Sequence, residues 1–207
     1  GVIEITKIGE VFATVNENEG IYTPVYETQN LANAVFEIYA AEDITTLDGT
    51  VRYYQGEKVD EIVTGENGVA KSKQLYLGKY TVIEKTAPNG YVNSNEQYNV
   101  ELTYAGKNVS VTSTALTVKN DRQKVTKKKK KALEKDKLFN IGDNDEILSV
   151  RFGVFANEDI TAADGSIIPK DALITYANCD EKGNISFDCD LPIGYRFYVK
   201  QLVTDEQ

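Results

Sequence analysis

Three polar side chains fall on strand positions that otherwise carry apolar residues. Side chains alternate between the two faces of a β-strand, so residues two apart share a face. Lys7, Glu84 and Asn120 therefore each continue an apolar, inward-facing stripe. The three in-phase sets are Ile3, Ile5 and Lys7; Tyr80, Val82 and Glu84; and Leu116, Val118 and Asn120.

An amine, a carboxyl and an amide in one core have a specific joint chemistry. Burial removes the hydration that favours the ammonium form, so the pKa of Lys7 falls and its neutral, nucleophilic amine becomes accessible. A carboxyl that holds a proton, Glu84, can polarise the Asn120 amide and pass a proton to the departing ammonia. Each residue alone has an ordinary explanation: a strand-end lysine, a paired glutamate, a terminating asparagine. Together they predict one intramolecular isopeptide bond, formed once and without turnover.

Composition excludes several classes of function. The 207 residues carry a formal charge of -9, which disfavours nucleic acid and anionic membranes as partners. The sequence contains no histidine, so Ser-His and Cys-His nucleophile pairs and the usual zinc ligands cannot be built. No apolar run reaches the length of a membrane span, and no charged-then-apolar leader opens the chain. We therefore expect no enzyme acting on an outside substrate, no metal, no cofactor and no direct membrane contact.

An internal repeat predicts the architecture. The segment 34–45 returns with substitutions as 150–161, and Asp-Gly pairs follow both copies at the same distance. Repetition at this long period indicates a duplicated domain. Short alternating strands, rich in β-branched and aromatic residues and broken by glycine turns, favour an all-β fold. We predict two tandem immunoglobulin-like β-sandwich domains, residues 1–122 and residues 123–207, the second incomplete.

The first copy resembles a known family, the Cna protein B-type domain, also called the SpaA-like or prealbumin-like fold, of Gram-positive adhesins and pilins. The most specific piece is the segment 77–91, with the family's Gly, Tyr, Glu, Ala-Pro and Gly-Tyr signature, and the resemblance covers nearly the whole chain as one full and one partial copy. It implies that Lys7 is the first-strand lysine, Asn120 its last-strand partner and Glu84 the catalytic acid. Supporting pieces are Ile3 to Lys7, Leu31 to Tyr39 and Val118 to Asn120.

The two copies depart from the family pattern in different ways. Between Gly9 and Asn30, where the family usually has a short turn, the first copy has a long segment. It is interpreted either as an extra hairpin or lengthened strands, or as a ligand-contacting loop. In the second copy a one-residue slip puts Gln201 where the acid should be, and Lys131 or a neighbour takes the place of the first-strand lysine. The chain ends before any closing strand. The aromatic candidates for ligand contact in the long segment are Phe12, Tyr22 and Tyr26.

The resemblance implies a structural stalk module of a Gram-positive surface adhesin or pilin. Its partners would be further domains of the same surface protein, and its location extracellular and anchored to the cell wall, with the anchor and signal peptide outside this sequence. The alternative is an adhesive module that contacts a host glycan or matrix protein through the 9–30 segment. Cys179 and Cys189 flank a probable turn and are either a disulfide or two small buried apolar residues.

Overall fold

The structure is a computed structural model that describes residues 1–93, 95–104, 113–122, 129–130 and 151–202, with the backbone alone at 113, 114, 120, 129, 130 and 179. Every regular element in these ranges is a β-strand, which confirms the all-β prediction. Contacts divide the chain into two compact units that are not two consecutive segments. Unit 1 comprises Gly1–Glu10 and Thr28–Gln123, and unit 2 comprises Val11–Glu27 and Lys124–Gln207.

Two long strands near the start of the chain contribute to both units. Strand β1 is Val2–Asn18 and strand β2 is Ile21–Asn30. The first nine residues of β1 lie in unit 1 and the rest in unit 2, whereas β2 belongs to unit 2 up to Glu27. The long segment between Gly9 and Asn30 is therefore a β-hairpin whose distal part, residues 11–27, is an element of unit 2.

Unit 1 is built from two sheets around one core. Strand β1 lies between β10 and β7, and the second sheet has the order β6-β3-β8-β9. Buried residues from both sheets, including Ile5, Phe36 and Val82, form one hydrophobic cluster. The strands are β3 Val35–Ala40, β4 Ile44–Thr45, β5 Val51–Tyr53, β6 Lys58–Val63, β7 Val69–Lys71, β8 Gly78–Thr86, β9 Gln97–Leu102 and β10 Ser113–Asn120.

Strands β1 and β10 run parallel and set the position of the predicted cross-link. Val2 pairs with Ser113, and the register continues without a break to Gly9 and Asn120. Because the strands are parallel, the carboxyl end of β10 lies beside Gly9, about midway along β1, which continues to Asn18. This part of the sheet carries Lys7 on β1 and Asn120 on β10.

Unit 2 repeats the strand pattern of unit 1 on a second core. Strand β15 lies between β2 and β12, and β12 also pairs with β17. Phe152, Val154 and Ile174 are among the buried residues of its hydrophobic cluster. The strands are β11 Lys129–Lys130, β12 Arg151–Ala156, β13 Ile160–Thr161, β14 Ile167–Ile168, β15 Leu173–Cys179, β16 Asn184–Ser186 and β17 Phe197–Gln201.

Candidate cross-linking site

Lys7 and Glu84 form a buried ion pair in the core of unit 1. The Lys7 Nζ donates to Glu84 Oε2 at 2.7 Å, and the two side chains are 0% and 1% exposed. Charged residues are almost never buried to this extent unless they are paired. The structure thus brings together two of the three residues that strand alternation predicts to face the core.

The alternation of side chains along two strands places this pair. On β1 the buried positions Ile3 and Ile5 lead to Lys7, and on β8 Tyr80 and Val82 lead to Glu84. The pairing of β8 with β3 contains a β-bulge next to Glu84. Phe36 pairs with Glu84, whereas the preceding Val35 pairs with Thr86, so Lys85 has no counterpart. Bulges of this kind re-aim side chains beside functional sites.

The backbone around Lys7 is held on both sides. The Lys7 N–H donates to the Gly68 carbonyl at 2.8 Å, and the Leu31 N–H donates to the Lys7 carbonyl at 2.9 Å. Gly68 has φ of 77°, and a Cβ there would come within 2.6 Å of Asn30 Cβ and 2.9 Å of the Leu31 nitrogen. Only glycine fits this close approach, because any side chain would collide with the backbone that fixes the lysine.

Burial gives the Lys7 amine the electronic character that nucleophilic attack requires. Desolvation lowers the pKa of Lys7 from its ordinary value, and the hydrogen bond and charge of Glu84 oppose that shift only in part. A lysine with a depressed pKa deprotonates more readily, and the carboxylate 2.7 Å away is positioned to take the proton. The pair can therefore present a neutral amine inside an apolar core.

The third predicted residue lies at the end of β10, beside the pair in the strand register. Val118, which is 1% exposed, pairs with Lys7, and Asn120 pairs with Gly9 two residues further on. Asn120 thus lies two residues along β10 from Val118, the direct partner of Lys7. Its side chain lies outside the described residues, and its role stays a prediction.

Unit 2 carries glutamine at the position equivalent to Glu84. Gln201 on β17 pairs with Phe152 on β12, as Glu84 pairs with the equivalent Phe36. The strand register thus agrees with the one-residue slip inferred from the repeat. A glutamine side chain has no acidic proton to transfer, so the acid of unit 1 has no counterpart at this position of unit 2.

The lysine-rich segment 127–131 supplies the first-strand position of unit 2. Lys129 pairs with Ile185 and Lys130 with Asn184 on β16, in the same register in which Ile5 and Thr6 pair with β7. The lysine that follows in sequence, Lys131, therefore corresponds to Lys7, but it lies outside the described residues.

The aromatic residues of the long segment take part in the packing of unit 2. Phe12 and Tyr22 pack against its hydrophobic cluster, and the Tyr26 hydroxyl donates to the Asp190 carbonyl at 3.0 Å. The backbone of the same hairpin accepts hydrogen bonds from the turn that follows β13: Ala163 N–H donates to the Phe12 carbonyl at 3.1 Å. The three candidate ligand-contacting residues therefore have a structural role within unit 2. Their contact with a ligand stays a prediction.

Sequence reasoning missed a second ion pair close to the site. Arg122 Nη2 lies 3.1 Å from Glu10 Oε2, and the Arg122 side chain is only 9% exposed. The Tyr91 hydroxyl donates to the Glu10 carbonyl at 2.6 Å. Burial raises the pKa of Tyr91, which keeps this hydroxyl protonated. The available signal was a charged residue just after the last paired residue of each strand, Gly9 on β1 and Asn120 on β10, but it becomes visible only once the parallel register is known.

Among the described residues, the other candidate features of the sequence contribute no site. Cys189 carries a free, half-buried thiol whose pKa is raised to about 11 by burial and by the neighbouring Asp190, while the Cys179 side chain lies outside the described residues. Within the described ranges, no cluster of side chains has the composition to hold a metal ion. The same part of the chain contains no helix long and apolar enough to cross a membrane.

Comparison with known proteins confirms the family resemblance for the first repeat. Residues 23–117 match the model of the SpaA family, a prealbumin-like fold domain. Sequence comparison with curated proteins finds no match.

Solved structures include several similar chains. The Bacillus anthracis TIE protein aligns over 99% of this chain at 23% identity with a TM-score of 0.55, which shows a shared fold. A group B streptococcus pilus 2b backbone protein covers 59% of this chain at 21% identity (TM-score 0.37), and the major pilin SpaD of Corynebacterium diphtheriae covers 62% at 18% (TM-score 0.41). This chain spans 29%, 41% and 31% of the lengths of those three chains.

Proposed function

We propose that this chain, whose residues 23–117 match the SpaA prealbumin-like family, is a structural stalk module of a Gram-positive surface protein whose first unit cross-links itself. The observation that carries the proposal is the Lys7–Glu84 pair, 2.7 Å apart and fully buried. Such a pair is weak evidence for stability, because apolar residues of similar volume stabilise a core as well or better. Its placement beside the end of β10 favours a chemical role.

The proposed reaction joins the Lys7 side chain to the Asn120 side chain. Glu84 takes a proton from the Lys7 ammonium, and the neutral Nζ attacks the Asn120 Cγ. The protonated Glu84 donates a hydrogen bond to the amide oxygen in the tetrahedral intermediate and delivers its proton to the departing nitrogen. Its carboxylate then takes the proton that Nζ loses as the new amide forms. A new C–N bond replaces the old one, the amide nitrogen leaves as ammonia, and no oxidant or cofactor is consumed.

The product suits a module that carries tension rather than one that turns over a substrate. The reaction consumes Lys7 and Asn120, so each molecule reacts once. The bond joins the first strand of unit 1 to its last. Under tension, these two strands cannot then separate unless a covalent bond breaks. Further domains of the same surface protein are the partners that such a role requires, and an extracellular, wall-anchored location follows from the resemblance.

The adhesive alternative assigns ligand binding to residues 9–30. The described contacts support it less, because Phe12, Tyr22 and Tyr26 are engaged within unit 2. Binding through this segment would have to use the residues near the turn of the hairpin, such as Glu19 and Gly20, which are exposed. We therefore assign the hairpin a structural role.

Intact mass tests the proposed cross-link directly. The purified chain should be lighter than its sequence by one ammonia, and digestion should release a branched peptide that joins Lys7 to Asn120. The variants Lys7→Ala and Glu84→Gln should have the full mass, and Glu84→Gln keeps the size and hydrogen-bonding capacity of the side chain so that folding can be verified by circular dichroism. Full mass in the unmodified chain would refute the proposal.

A surface ion pair that includes Lys85, the residue next to Glu84 on β8, provides a matched control. Lys85 Nζ lies 2.8 Å from Glu61 Oε1, nearly the same distance as in the buried pair, but both side chains are exposed. The variant Lys85→Ala should lose ammonia as the unmodified chain does, because an exposed lysine takes no part in the reaction.

A further inference from the structure

Three segments of unit 1 meet just beyond the proposed cross-link. They are the carboxyl end of the unit 1 part of β1, at Gly9 and Glu10, the residues after β10, Asp121 and Arg122, and the connection between β8 and β9 at Tyr91. Tyr91 and Arg122 form an isolated antiparallel bridge, and the Val92 N–H donates to the Asp121 carbonyl at 2.8 Å. The connection therefore binds the chain immediately after Asn120.

Side chains tie the same three segments together. Arg122 donates to Glu10 Oε2 through Nη2 at 3.1 Å and through Nε at 3.3 Å, so one carboxylate oxygen accepts two charge-assisted hydrogen bonds. The Tyr91 hydroxyl donates to the Glu10 carbonyl at 2.6 Å. Glu10 thus accepts hydrogen bonds from both of the other segments, from Arg122 on its side chain and from Tyr91 on its backbone.

The absence of a side chain at Gly9 lets Tyr91 approach. A Cβ at Gly9 would come within 2.7 Å of Tyr91 Cε1 and 2.6 Å of Leu31 Cδ1, distances that real contacts do not show. The Tyr91 ring therefore lies directly against the backbone of β1 at the residue that pairs with Asn120. Asn120 is fixed through Gly9 on one side and through Asp121 and Arg122 on the other.

We infer that Glu10, Tyr91 and Arg122 are positioning residues that hold the end of β10 in the register in which Asn120 reaches the Lys7 amine. This inference rests on the proposed cross-linking function. Arg122 follows Asn120 by two residues, and Glu10 follows Lys7 by three. The ion pair between Arg122 and Glu10 therefore connects the two chain segments just after the residues that are proposed to react. The contacts described for these three residues tie backbone segments together, and the residues act through the backbone.

Positioning of this kind controls the rate of an intramolecular reaction. Attack requires the reacting atoms to lie about 3 to 3.5 Å apart, and a misplacement of about 1 Å can slow a reaction about a hundredfold. The end of a strand tends to fray unless further contacts hold it. The contacts of Arg122 and Tyr91 supply that restraint where the regular pairing with β1 stops.

The test follows ammonia loss over time after a short pulse of cell-free synthesis, with intact mass as the readout. Arg122→Gln should slow cross-linking about tenfold or more relative to the unmodified chain, and the exchanged pair Glu10→Arg with Arg122→Glu should restore the rate to within about threefold. Glu4→Gln is the matched control. It removes the contact of Glu4 with Lys71 of β7, 3.6 Å away. Glu4 lies on the same strand β1 but pairs with Ala115 rather than with the end of β10, so the change should leave the rate unchanged.

A separate measurement distinguishes positioning from general stability. Each variant is also made with Asn120→Ala, which cannot cross-link, and its unfolding midpoint is determined. Rates are then compared at a temperature at which all variants are folded, so a loss of stability alone leaves the rate unchanged.

Each outcome has one meaning. Slow reaction in Arg122→Gln with recovery in the exchanged pair supports the inference. An unchanged rate in Arg122→Gln, or no recovery in the exchanged pair, overturns it while the proposed function stands. Full mass in the unmodified chain overturns both.

Discussion

Replacing Asn120 with alanine removes the proposed acceptor of the Lys7 amine and leaves the buried Lys7–Glu84 pair in place. The change therefore isolates what the cross-link contributes to stability from what the ion pair contributes. Removing Lys7 or Glu84 instead would leave an unpaired group in the core, and that loss alone costs about 3 to 5 kcal/mol.

The expected loss follows from the length of chain that the bond closes. Lys7 and Asn120 lie about 110 residues apart, and the chain-entropy argument for disulfides, which applies to any covalent tie, gives about 5 kcal/mol in the free energy of unfolding. For a unit of this size, such a loss lowers the unfolding midpoint by about 20 °C. The slowest-exchanging amides of unit 1 should exchange roughly three to four orders of magnitude faster.

Hydrogen exchange followed by mass spectrometry is the appropriate assay, because it reports on the two units separately. Peptides from β3 and β8 of unit 1 should lose protection in Asn120→Ala. The control Asn99→Ala changes an asparagine at an exposed position of β9 and should stay within about 0.5 kcal/mol of the unmodified chain. If the unmodified chain has lost ammonia and Asn120→Ala is nevertheless equally protected, the entropic reasoning is wrong.

Three further predictions concern pH, packing and the hairpin. In Asn120→Ala, the free energy of unfolding should rise as the pH increases toward about 10, the ordinary pKa of lysine, because the lowered pKa of Lys7 means that the unfolded state binds more protons there. Adding Lys7→Met should abolish the rise. Gly9→Ala should destabilise unit 1 by about 1 to 3 kcal/mol in denaturant titration, since its Cβ has no room, whereas Gly65→Ala, with 3.5 Å to its nearest neighbour, should not. Phe12→Ala should reduce hydrogen-exchange protection of β12 by about 2 kcal/mol and leave β3 unchanged, and equal protection of β12 would contradict the packing role.

Local pattern predicted much of the fold because the repeat and the strand alternation are local properties. The strands β3 and β12 begin at equivalent positions of the repeat, and Phe36 and Phe152 pair with Glu84 and Gln201 in the same register. Alternation likewise predicted that Lys7 faces the core. A period of two residues is sufficient for such predictions.

The core against which the 11–27 segment packs could not be predicted in the same way. Its apolar residues indicate that it packs against something, but they do not specify which core they fill. Phe12 packs against a cluster whose members, from Phe152 to Phe197, lie about 140 or more positions later in the chain. A prediction from neighbouring residues assigns a segment to the domain that surrounds it in sequence, whereas the contacts assign this one to unit 2.

The Glu10–Arg122 contact was hidden for a related reason. Nothing in the local sequence of either residue distinguishes it from an ordinary solvated charge, and the two are separated by 112 positions. Their proximity depends on the parallel register of β1 and β10, which the sequence pattern does not specify.

The parallel pairing of β1 and β10 also determines how unit 1 resists stretching. When Gly1 and the chain that follows Asn120 are pulled apart, the two strands are drawn in opposite directions along their common axis. The hydrogen bonds of the ladder from Val2 to Gly9 are then loaded in shear and must yield together. An antiparallel pair pulled from the same end opens like a zipper, one bond at a time. The parallel direction of β1 and β10 thus confers mechanical resistance before any covalent bond has formed.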